Sequence, residues 1–202
     1  RRMKGKIWDL YAPIYSRAMR AEERSYAYLY RRISKLVRAK EVLELATGPG
    51  VLAKRIAPVT KRMLATDYSE GMIAEAKKGA CPKNLRFEVA DALSLPYADA
   101  SFDAVIIVNA LHLLPEPEFA LRKIARVLRP DGILIAPNFV KKREHFVGCC
   151  WEAVLGLVGV RFEHQWTVGE YLAFFRDHGW ELLFYKETQA RMPFLYVECG
   201  RS

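Results

Sequence analysis

The feature that most constrains the fold is a regular alternation of short apolar runs with amphipathic segments over residues 41–137. Short apolar runs bounded by turn residues are typical of buried strands, whereas apolar residues at helical spacing are typical of helices that pack on a sheet. The pattern predicts strands at 41–46, 63–67, 85–89, 104–109 and 132–137 and helices at 50–57, 69–78 and 117–128. Strands that alternate with helices form a parallel sheet with helices on both faces. We therefore predict a doubly wound α/β domain.

The two flanks of this region follow other patterns. Aromatic and aliphatic residues at helical spacing over 6–38 predict an N-terminal helical extension. The segment 146–160 is apolar nearly all round, so a helix there must be buried or dock onto another surface. A capping box begins a predicted helix over 167–177. The apolar runs 181–187 and 194–199 predict a C-terminal antiparallel hairpin at the end of the sheet.

Composition and net charge limit the classes of function that the chain could have. The 202-residue chain is 51% hydrophobic, which is enough to bury the core of a single domain. Its net charge of +9 favours contact with anionic substrates, nucleic acid or a membrane surface. The basic residues are scattered over several segments, so we interpret most of them as solvated helix faces.

The cysteines do not form a recognisable metal or disulfide motif. None of Cys81, Cys149, Cys150 and Cys199 belongs to a Cys-x-x-Cys pair, so we predict no metal site and no disulfide framework. The basic opening of the chain is not followed by the apolar core of a signal peptide. The longest apolar stretch contains Glu152 and is shorter than the roughly 20 residues that a membrane-spanning helix needs. These features predict a soluble, cytoplasmic protein.

A glycine-rich turn follows the first predicted strand, in the stretch "VLELATGPG" that ends at Gly50. In an open parallel sheet, ligands bind beyond the carboxyl ends of the strands. Gly48 and Gly50 allow a ligand to approach the backbone closely. Read as Gly-x-Gly-x-x-Ala, with Ala53 last, the turn also fits a dinucleotide fingerprint. Asp67 follows Gly48 by about 20 residues and could accept ribose hydroxyl protons from a dinucleotide or from another ribose ligand.

Glu44, just ahead of the glycines, discriminates between these ligands. A pyrophosphate at a helix N-terminus requires positive potential, which a neighbouring carboxylate opposes. A buried carboxylate is unfavourable unless a positive or hydrogen-bonding group meets it. The turn is therefore suited to a positively charged ribose ligand without phosphate, and S-adenosylmethionine has a ribose, an α-ammonium and a sulfonium.

With these residues in view, the chain resembles the class I S-adenosylmethionine-dependent methyltransferases. "VLELATGPG" resembles their motif I, "LATDYSEGMIAEAKK" their motif II, and "FEVADALSLPYADASFDAVIIVNALHLL" and "VLRPDGILIA" the blocks that follow. The resemblance covers residues 38–140 and the C-terminal hairpin and is nearest to the small-molecule branch that includes quinone-biosynthesis enzymes. It implies a Rossmann-like sheet, S-adenosylmethionine as cofactor and S-adenosylhomocysteine as product. The implied cofactor-binding residues are Glu44, Ala46, Thr47, Gly48, Gly50, Asp67, Tyr68, Met72, Asp91, Ala92 and Asn109.

The resemblance also implies a role for several of these residues. Asp67 would hold the ribose hydroxyls, and Tyr68 and Met72 would pack on the adenine. The Asp91 side chain would bind the adenine amino group, and the Ala92 backbone N–H would bind a ring nitrogen.

The methionine end of the cofactor would lie beside Asn109, at the end of the fourth strand. Two positions depart from the family pattern, since Ala46 replaces the usual first glycine of motif I and Pro49 the usual small residue. We expect the methyl group of Ala46 to narrow the room for the methionine chain.

The acceptor side is predicted from residues at both ends of the core. In the family, a segment like "WDLYAPIYSRAM" covers the cofactor, so Tyr11 and Tyr15 would line the active site, with core packing as the other interpretation. Methyl transfer from a sulfonium requires alignment of acceptor, methyl and sulfur. An acceptor that loses a proton can also need a base. Tyr15 and His112 are the predicted catalytic residues, and His112 is also a predicted substrate contact. Packing or indirect support is the alternative interpretation of His112.

The apolar segment 146–160 is interpreted as a substrate cap that suits a small lipophilic acceptor. Trp151 is the predicted substrate contact within it, and Trp166 lies nearby. His145 and His164 flank the cap as further candidate bases, with surface histidines as the other interpretation. A dimer interface or a simple core helix remains the alternative for this segment.

We therefore predict methyl transfer to an O, N or S atom of a small, hydrophobic acceptor within one domain. Its segments are a helical cap (1–38), a cofactor-binding core (39–140), a substrate cap (141–180) and a terminal hairpin (181–202). The alternatives are a membrane-lipid or nucleic-acid methyltransferase, an NAD(P)-binding oxidoreductase and a non-catalytic cofactor-binding protein. Lys141, Lys142 and Arg143 beside the cap could contact an anionic membrane. Nucleic acid is not favoured, because Asn109-Ala-Leu-His112 stands where base-modifying amino methyltransferases have Asn/Asp-Pro-Pro-aromatic. The oligomeric state is left open.

Overall fold

The computed structural model describes Trp8, Asp9, Ala12 and residues 27–141, 163–188 and 194–202. Among these residues the helices are α1 (Ala27–Leu36), α2 (Val51–Ile56), α3 (Glu70–Ala76), α4 (Pro117–Val127) and α5 (Val168–Asp177). The strands are β1 (Glu41–Leu45), β2 (Arg62–Asp67), β3 (Leu85–Val89), β4 (Phe102–Ile107), β5 (Leu128–Ile135), β6 (Asn138–Phe139), β7 (Trp180–Thr188) and β8 (Phe194–Arg201). Short 3-10 turns lie at Ala57–Val59 and Leu111–Leu113.

These strands form one mixed sheet, as the sequence pattern predicts. The parallel strands lie in the order β3-β2-β1-β4-β5. β8 pairs antiparallel with β5 and β6 along one edge and with β7 along its other edge. The Rossmann-like sheet and its C-terminal antiparallel hairpin are therefore confirmed.

The helices cover both faces of this sheet, because alternate residues of the central strands point to opposite sides. On one face, Val42 and Ile106 belong to a buried cluster formed with α1, α2 and α3. On the other face, Leu43 and Val105 belong to a second cluster formed with α4 and α5. Since β1 is buried along nearly its whole length, its even-numbered residue Glu44 faces the layer of α1 and α2.

Strand boundaries differ from the predicted ones at two places. The predicted strand 104–109 is observed as β4 at Phe102–Ile107, and Asn109 beyond it has a φ of 51°, which extended backbone does not allow. The predicted strand 132–137 is observed as β5 from Leu128, which starts where α4 ends. The two-residue strand β6 was not predicted, and its pairing with β8 depends on a long-range contact.

Helix α1 is attached to the antiparallel end of the sheet by a partly buried ion pair. The guanidinium of Arg32 donates two hydrogen bonds, of 2.5 and 2.8 Å, to the carboxylate of Glu198 on β8. It also lies 3.7 Å from the ring centroid of Phe184 on β7, at a distance typical of cation–π contacts. Glu198 is only 3% exposed, so Arg32 compensates a charge that would otherwise be costly to bury. This contact fixes α1 beside the carboxyl end of β1.

The predicted division into four segments stays a prediction. Most of the helical extension before residue 27 lies outside the described residues, and so does the apolar segment 146–160 with Trp151. Among the helices that the structure describes, none has the length and apolarity to cross a membrane.

Candidate cofactor-binding and active site

The candidate site lies at the carboxyl ends of β1, β2 and β4. The backbone turns sharply after two of these strands, where Ala46 and Asn109 have φ values of 53° and 51°. A cavity between these turns is lined by Glu44, Thr47 and Gly48, with Leu29 and Tyr30 of α1 forming another wall. The glycine turn and the fourth strand therefore meet at one cavity.

The left-handed backbone at position 46 explains why glycine is usual there. An alanine in this conformation has its Cβ close to the following carbonyl oxygen, which costs about 1 kcal/mol. The substitution therefore introduces backbone strain, besides any narrowing of the site. Gly50 also has a positive φ of 73°, and a Cβ there would lie 2.7 Å from the Phe87 ring, so both backbone angle and space require glycine.

Glu44 is the most perturbed group of the cavity. It is 3% exposed, and Thr47 Oγ1 donates a 2.9 Å hydrogen bond to its Oε2. Burial raises the pKa of Glu44 to about 8, and the negative charge of Asp67 acts in the same direction, while the Thr47 hydrogen bond opposes the rise. No ion pair to Glu44 occurs within the described ranges. A positive ligand group next to this carboxyl would therefore stabilise its ionised form.

Asp67 ends β2 and closes the glycine turn. Its Oδ2 accepts a 2.8 Å hydrogen bond from the Gly48 N–H, and its Oδ1 accepts a 2.9 Å hydrogen bond from the Ser69 N–H. Burial raises the pKa of Asp67, and these backbone hydrogen bonds oppose the rise. Each carboxylate oxygen has two lone pairs. Both oxygens can therefore accept a further hydrogen bond from vicinal hydroxyls of a ligand.

The start of α3 is held by a residue that the sequence reasoning missed. Asp9 Oδ1 accepts hydrogen bonds from Ser69 Oγ at 2.5 Å and from the Gly71 N–H at 2.9 Å. This contact places at least this part of the N-terminal segment next to the candidate site. A lone acid in an aromatic-rich segment has no pattern that would have marked it in advance.

The predicted adenine contacts surround this same edge of the sheet. Tyr68 is 43% exposed directly after β2, whereas Met72 in the first turn of α3 is buried. Asp91 follows β3, and its Oδ1 accepts a 2.9 Å hydrogen bond from the Leu93 N–H. Ala92 lies in the same turn and is half-buried. Tyr68, Asp91 and Ala92 could therefore contact a planar ligand beyond β2 and β3. Met72 could contact such a ligand only from the buried side of the site.

His112 lies after β4 and is 4% exposed. Its Nδ1 lies 2.8 Å from Oδ1 of Asn138, whose Nδ2 donates to the Phe139 carbonyl at 3.1 Å. This second hydrogen bond assigns the amide orientation, so the Asn138 oxygen faces the imidazole and Nδ1 carries the proton. Burial lowers the pKa of His112 to about 4 despite the Asn138 hydrogen bond, and nearby His164 lowers it further. The ring is therefore neutral at physiological pH, with Nε2 as its basic nitrogen.

A second histidine lies beside the first. The His112 carbonyl accepts hydrogen bonds from the N–H groups of Glu163 and His164, at 3.0 and 3.1 Å. The His164 ring stacks on Trp166, with centroids 5.2 Å apart and planes at 6°. His164 is half-buried, and its role as a base or as a surface histidine stays a prediction.

Several predicted site residues are not among the residues that the structure describes. Tyr11, Tyr15, His145 and Trp151 lie outside the described residues, so their predicted roles stay predictions. Asn138 was missed, although a polar residue within the apolar run after β5 was a visible signal. Within the described parts of the chain, no group of three or more His, Cys, Asp or Glu side chains could hold a metal ion.

Comparison with known proteins supports the methyltransferase resemblance of the sequence. Residues 43–136 match the family model described as a methyltransferase domain. The chain is 36% identical over 104 residues to a demethylmenaquinone methyltransferase of Clavibacter sepedonicus, covering 51% of this chain and 42% of the relative. It is 33% identical over 116 residues to the ubiquinone/menaquinone biosynthesis C-methyltransferase UbiE of Rickettsia massiliae, covering 52% of this chain and 47% of the relative. The aligned region thus spans less than half the length of these curated relatives.

The fold extends further than the sequence match. One chain of the complex between the Haloferax volcanii Trm112 methyltransferase activator and a methyltransferase superposes with a TM-score of 0.79. The superposition covers 96% of this chain and 97% of that chain at 20% identity, which shows a common fold. The family match places residues 43–136 in a methyltransferase domain, and together with the quinone-biosynthesis relatives it supports similarity of this chain to the class I S-adenosylmethionine-dependent methyltransferases.

Proposed function

We propose that the chain transfers a methyl group from S-adenosylmethionine to a small, hydrophobic acceptor. The observation that carries this proposal is the buried Glu44 carboxyl, which faces the same cavity as the glycine turn and has a raised pKa. A ligand with a positive charge and no phosphate suits this cavity, whereas a pyrophosphate does not. The family match and the quinone-biosynthesis relatives support the same reaction class.

The residues present fit S-adenosylmethionine along the edge of the sheet. Glu44 and Asn109 would hold the methionine portion, and Thr47 would orient Glu44 through its hydrogen bond. Asp67 would accept hydrogen bonds from the ribose hydroxyls. Each of its oxygens has a second lone pair that the backbone hydrogen bonds from Gly48 and Ser69 do not use.

The backbone of Ala46, Gly48 and Gly50 would allow close approach of the ligand. Tyr68 and Met72 would contact the adenine, with Asp91 and the Ala92 N–H at its polar edge. When bound, the cofactor supplies a methyl group that is already activated by the sulfonium charge.

The protein's own chemistry would be alignment and proton acceptance. His112 is held by Asn138 in the tautomer whose Nε2 accepts a proton, and its burial keeps it neutral at physiological pH. A neutral imidazole with a fixed ring can act as a general base on an acceptor hydroxyl or other acidic group. Tyr15 is kept as a second proposed catalytic residue, with Tyr11 and Trp151 as proposed acceptor contacts.

The acceptor atom is the finer part of the proposal. The sequence predicts an O, N or S atom, and the name of the Rickettsia massiliae relative adds carbon to the candidates. An electron-rich ring with a hydroxyl group accommodates both oxygen and carbon as acceptor atoms, and its deprotonation by His112 would activate either one. The quinone chemistry in the relatives' names favours such a ring.

The alternatives have less support. The family match and these relatives do not favour an oxidoreductase, a non-catalytic protein or a nucleic-acid methyltransferase. Contact of the chain with an anionic membrane stays a prediction, and so does action on a membrane lipid.

Calorimetric titration with S-adenosylmethionine, S-adenosylhomocysteine and NADH tests the proposal. We expect both adenosyl ligands to bind and NADH not to bind. Asp67→Ala should weaken adenosyl-ligand binding by ~2 kcal/mol, the scale of hydrogen bonds to a charged group. Asp99→Ala is the control, because Asp99 pairs with Arg126 through a largely exposed side chain. NADH binding, or unchanged affinity in the Asp67 variant with its folding intact, would contradict the proposed site.

A further inference from the structure

His164 has an unsatisfied polar atom in a place where the acceptor would be expected. Its Nε2 is buried and has no hydrogen-bond partner in the described part of the chain. Buried polar atoms of side chains usually have a partner, so a buried imidazole nitrogen without one calls for an explanation. A bound ligand group that donates or accepts a hydrogen bond would provide it.

The position of this ring is fixed by contacts that do not use Nε2. The His164 N–H donates to the His112 carbonyl, which holds the two histidines side by side. The Trp166 carbonyl accepts a 2.8 Å hydrogen bond from the Lys141 N–H, next to β6. The ring itself is held by its near-parallel stack on Trp166, which in turn stacks on Phe174 at 5.1 Å. The imidazole is therefore preorganised, and Nε2 remains available to a partner.

Aromatic side chains surround the two histidines. The Phe139 ring lies 6.3 Å from the His112 ring in an edge-on arrangement, and Phe139 and Trp166 are each half-buried. Flat apolar walls with few polar groups are typical of sites for aromatic ligands. The two imidazoles at this location are suited to a hydroxyl group, because a hydroxyl can both donate and accept a hydrogen bond.

We propose that His112, Phe139, His164 and Trp166 form the acceptor subsite for a hydroxylated aromatic ring, with His164 Nε2 hydrogen-bonded to a ring hydroxyl. The inference rests on the proposed methyltransferase function and assigns the residues that would hold its acceptor. His164 is a substrate-binding residue in this arrangement, while His112 is the proton acceptor. The two imidazoles thereby divide positioning and proton transfer between them.

The test uses the 202-residue chain saturated with S-adenosylhomocysteine. Calorimetry compares two probes, dihydroxynaphthalene and dimethoxynaphthalene, which share a ring system but differ in the hydroxyl hydrogen. We expect the dihydroxy probe to bind wild-type protein more tightly. His164→Phe, which keeps a ring to stack on Trp166, should weaken the dihydroxy probe about tenfold, the loss of one hydrogen bond. It should leave the affinity of the dimethoxy probe unchanged.

Two further variants keep the test decisive. His178→Phe is the matched control, because His178 packs on Phe174 of the same aromatic cluster at 4.8 Å but is exposed. It should change neither affinity. His164→Gln keeps a hydrogen-bonding amide and should retain most of the binding of the dihydroxy probe, which covers the case in which His164→Phe does not fold.

Failure of this inference can be separated from failure of the proposed function. Loss of S-adenosylhomocysteine binding by wild-type protein would refute the function itself. Normal binding of that ligand, with equal affinity for the two probes or with no effect of His164→Phe, would refute the subsite alone. If neither probe binds to wild-type protein saturated with S-adenosylhomocysteine, the proposed subsite is refuted as well.

Discussion

The raised pKa of Glu44 predicts that cofactor affinity depends on pH in a specific direction. With a pKa of about 8, the carboxyl of the ligand-free protein is mostly protonated at pH 7. In the proposed arrangement the α-ammonium of the cofactor lies beside Glu44 and favours the ionised carboxylate, so binding should release about one proton. Affinity for S-adenosylhomocysteine should therefore rise with pH below about 8, by about tenfold per pH unit at the limit. Between pH 6 and pH 7.5 this corresponds to roughly 2 kcal/mol.

The release of the proton can be counted directly. Calorimetric titrations at one pH, in two buffers with different enthalpies of ionisation, give the number of protons exchanged on binding. S-adenosylhomocysteine is the suitable ligand, because it has the α-ammonium but no sulfonium. Glu44→Gln should remove the proton release and weaken binding near pH 7.5 by about 1.5–3 kcal/mol, the scale of a hydrogen bond to a charged group.

A matched control is available on the same strand. Glu41 lies at the other end of β1, where Arg62 and Lys61 lower its pKa through hydrogen bonds. Glu41→Gln should therefore leave both the affinity and the pH dependence unchanged below pH 7.5. Affinity that does not vary with pH in the wild-type protein, or a slope that survives in Glu44→Gln, would refute the electrostatic argument.

Two further predictions concern strain and the buried histidine. Ala46→Gly and Ala100→Gly should each raise the unfolding free energy by about 0.5–1 kcal/mol, because Ala46 and Ala100 have φ values of 53° and 49°. Only the first should change cofactor affinity, and a loss of stability in chemical denaturation would contradict the strain. Burial lowers the pKa of His112 from 6.5 to about 4. Neutral His112 therefore contributes to the free energy of unfolding above pH 6.5, and this contribution is lost as pH falls towards 4, by up to ~3 kcal/mol. The stability difference between wild type and His112→Gln should shift by this amount over that range, and a constant difference would show that His112 titrates normally.

The fold was predictable because its central strands are buried on both faces. Such strands appear in the sequence as short apolar runs, as "VLEL" and "AVII" do. The boundaries at 109 and 128 were not predictable to the residue. The first depends on a left-handed turn, and the second on a helix that passes directly into a strand without an intervening loop.

The site was predictable where topology alone brings residues together. Glu44 and Asp67 end neighbouring parallel strands, so their proximity follows from the strand order without knowledge of any side-chain contact. Asp9, Asn138 and the buried Nε2 atom of His164 could not be found in this way. Each depends on a contact between distant segments, such as the hydrogen bonds of Asp9 to the start of α3, and no local pattern encodes such a partner.

The cavity itself follows from a reversal in the direction of winding. From β1 the chain passes through α2 to β2 on one side, and from β4 it passes through α4 to β5 on the other. The two connections leave the neighbouring strands β1 and β4 towards opposite faces of the sheet. This opens a crevice between the residues that directly follow the two strands. The left-handed residues Ala46 and Asn109 lie at these two departures, so strain and cavity have the same cause. Glu44 lies under this crevice within the sheet, where water is excluded and its charge depends on what the crevice holds.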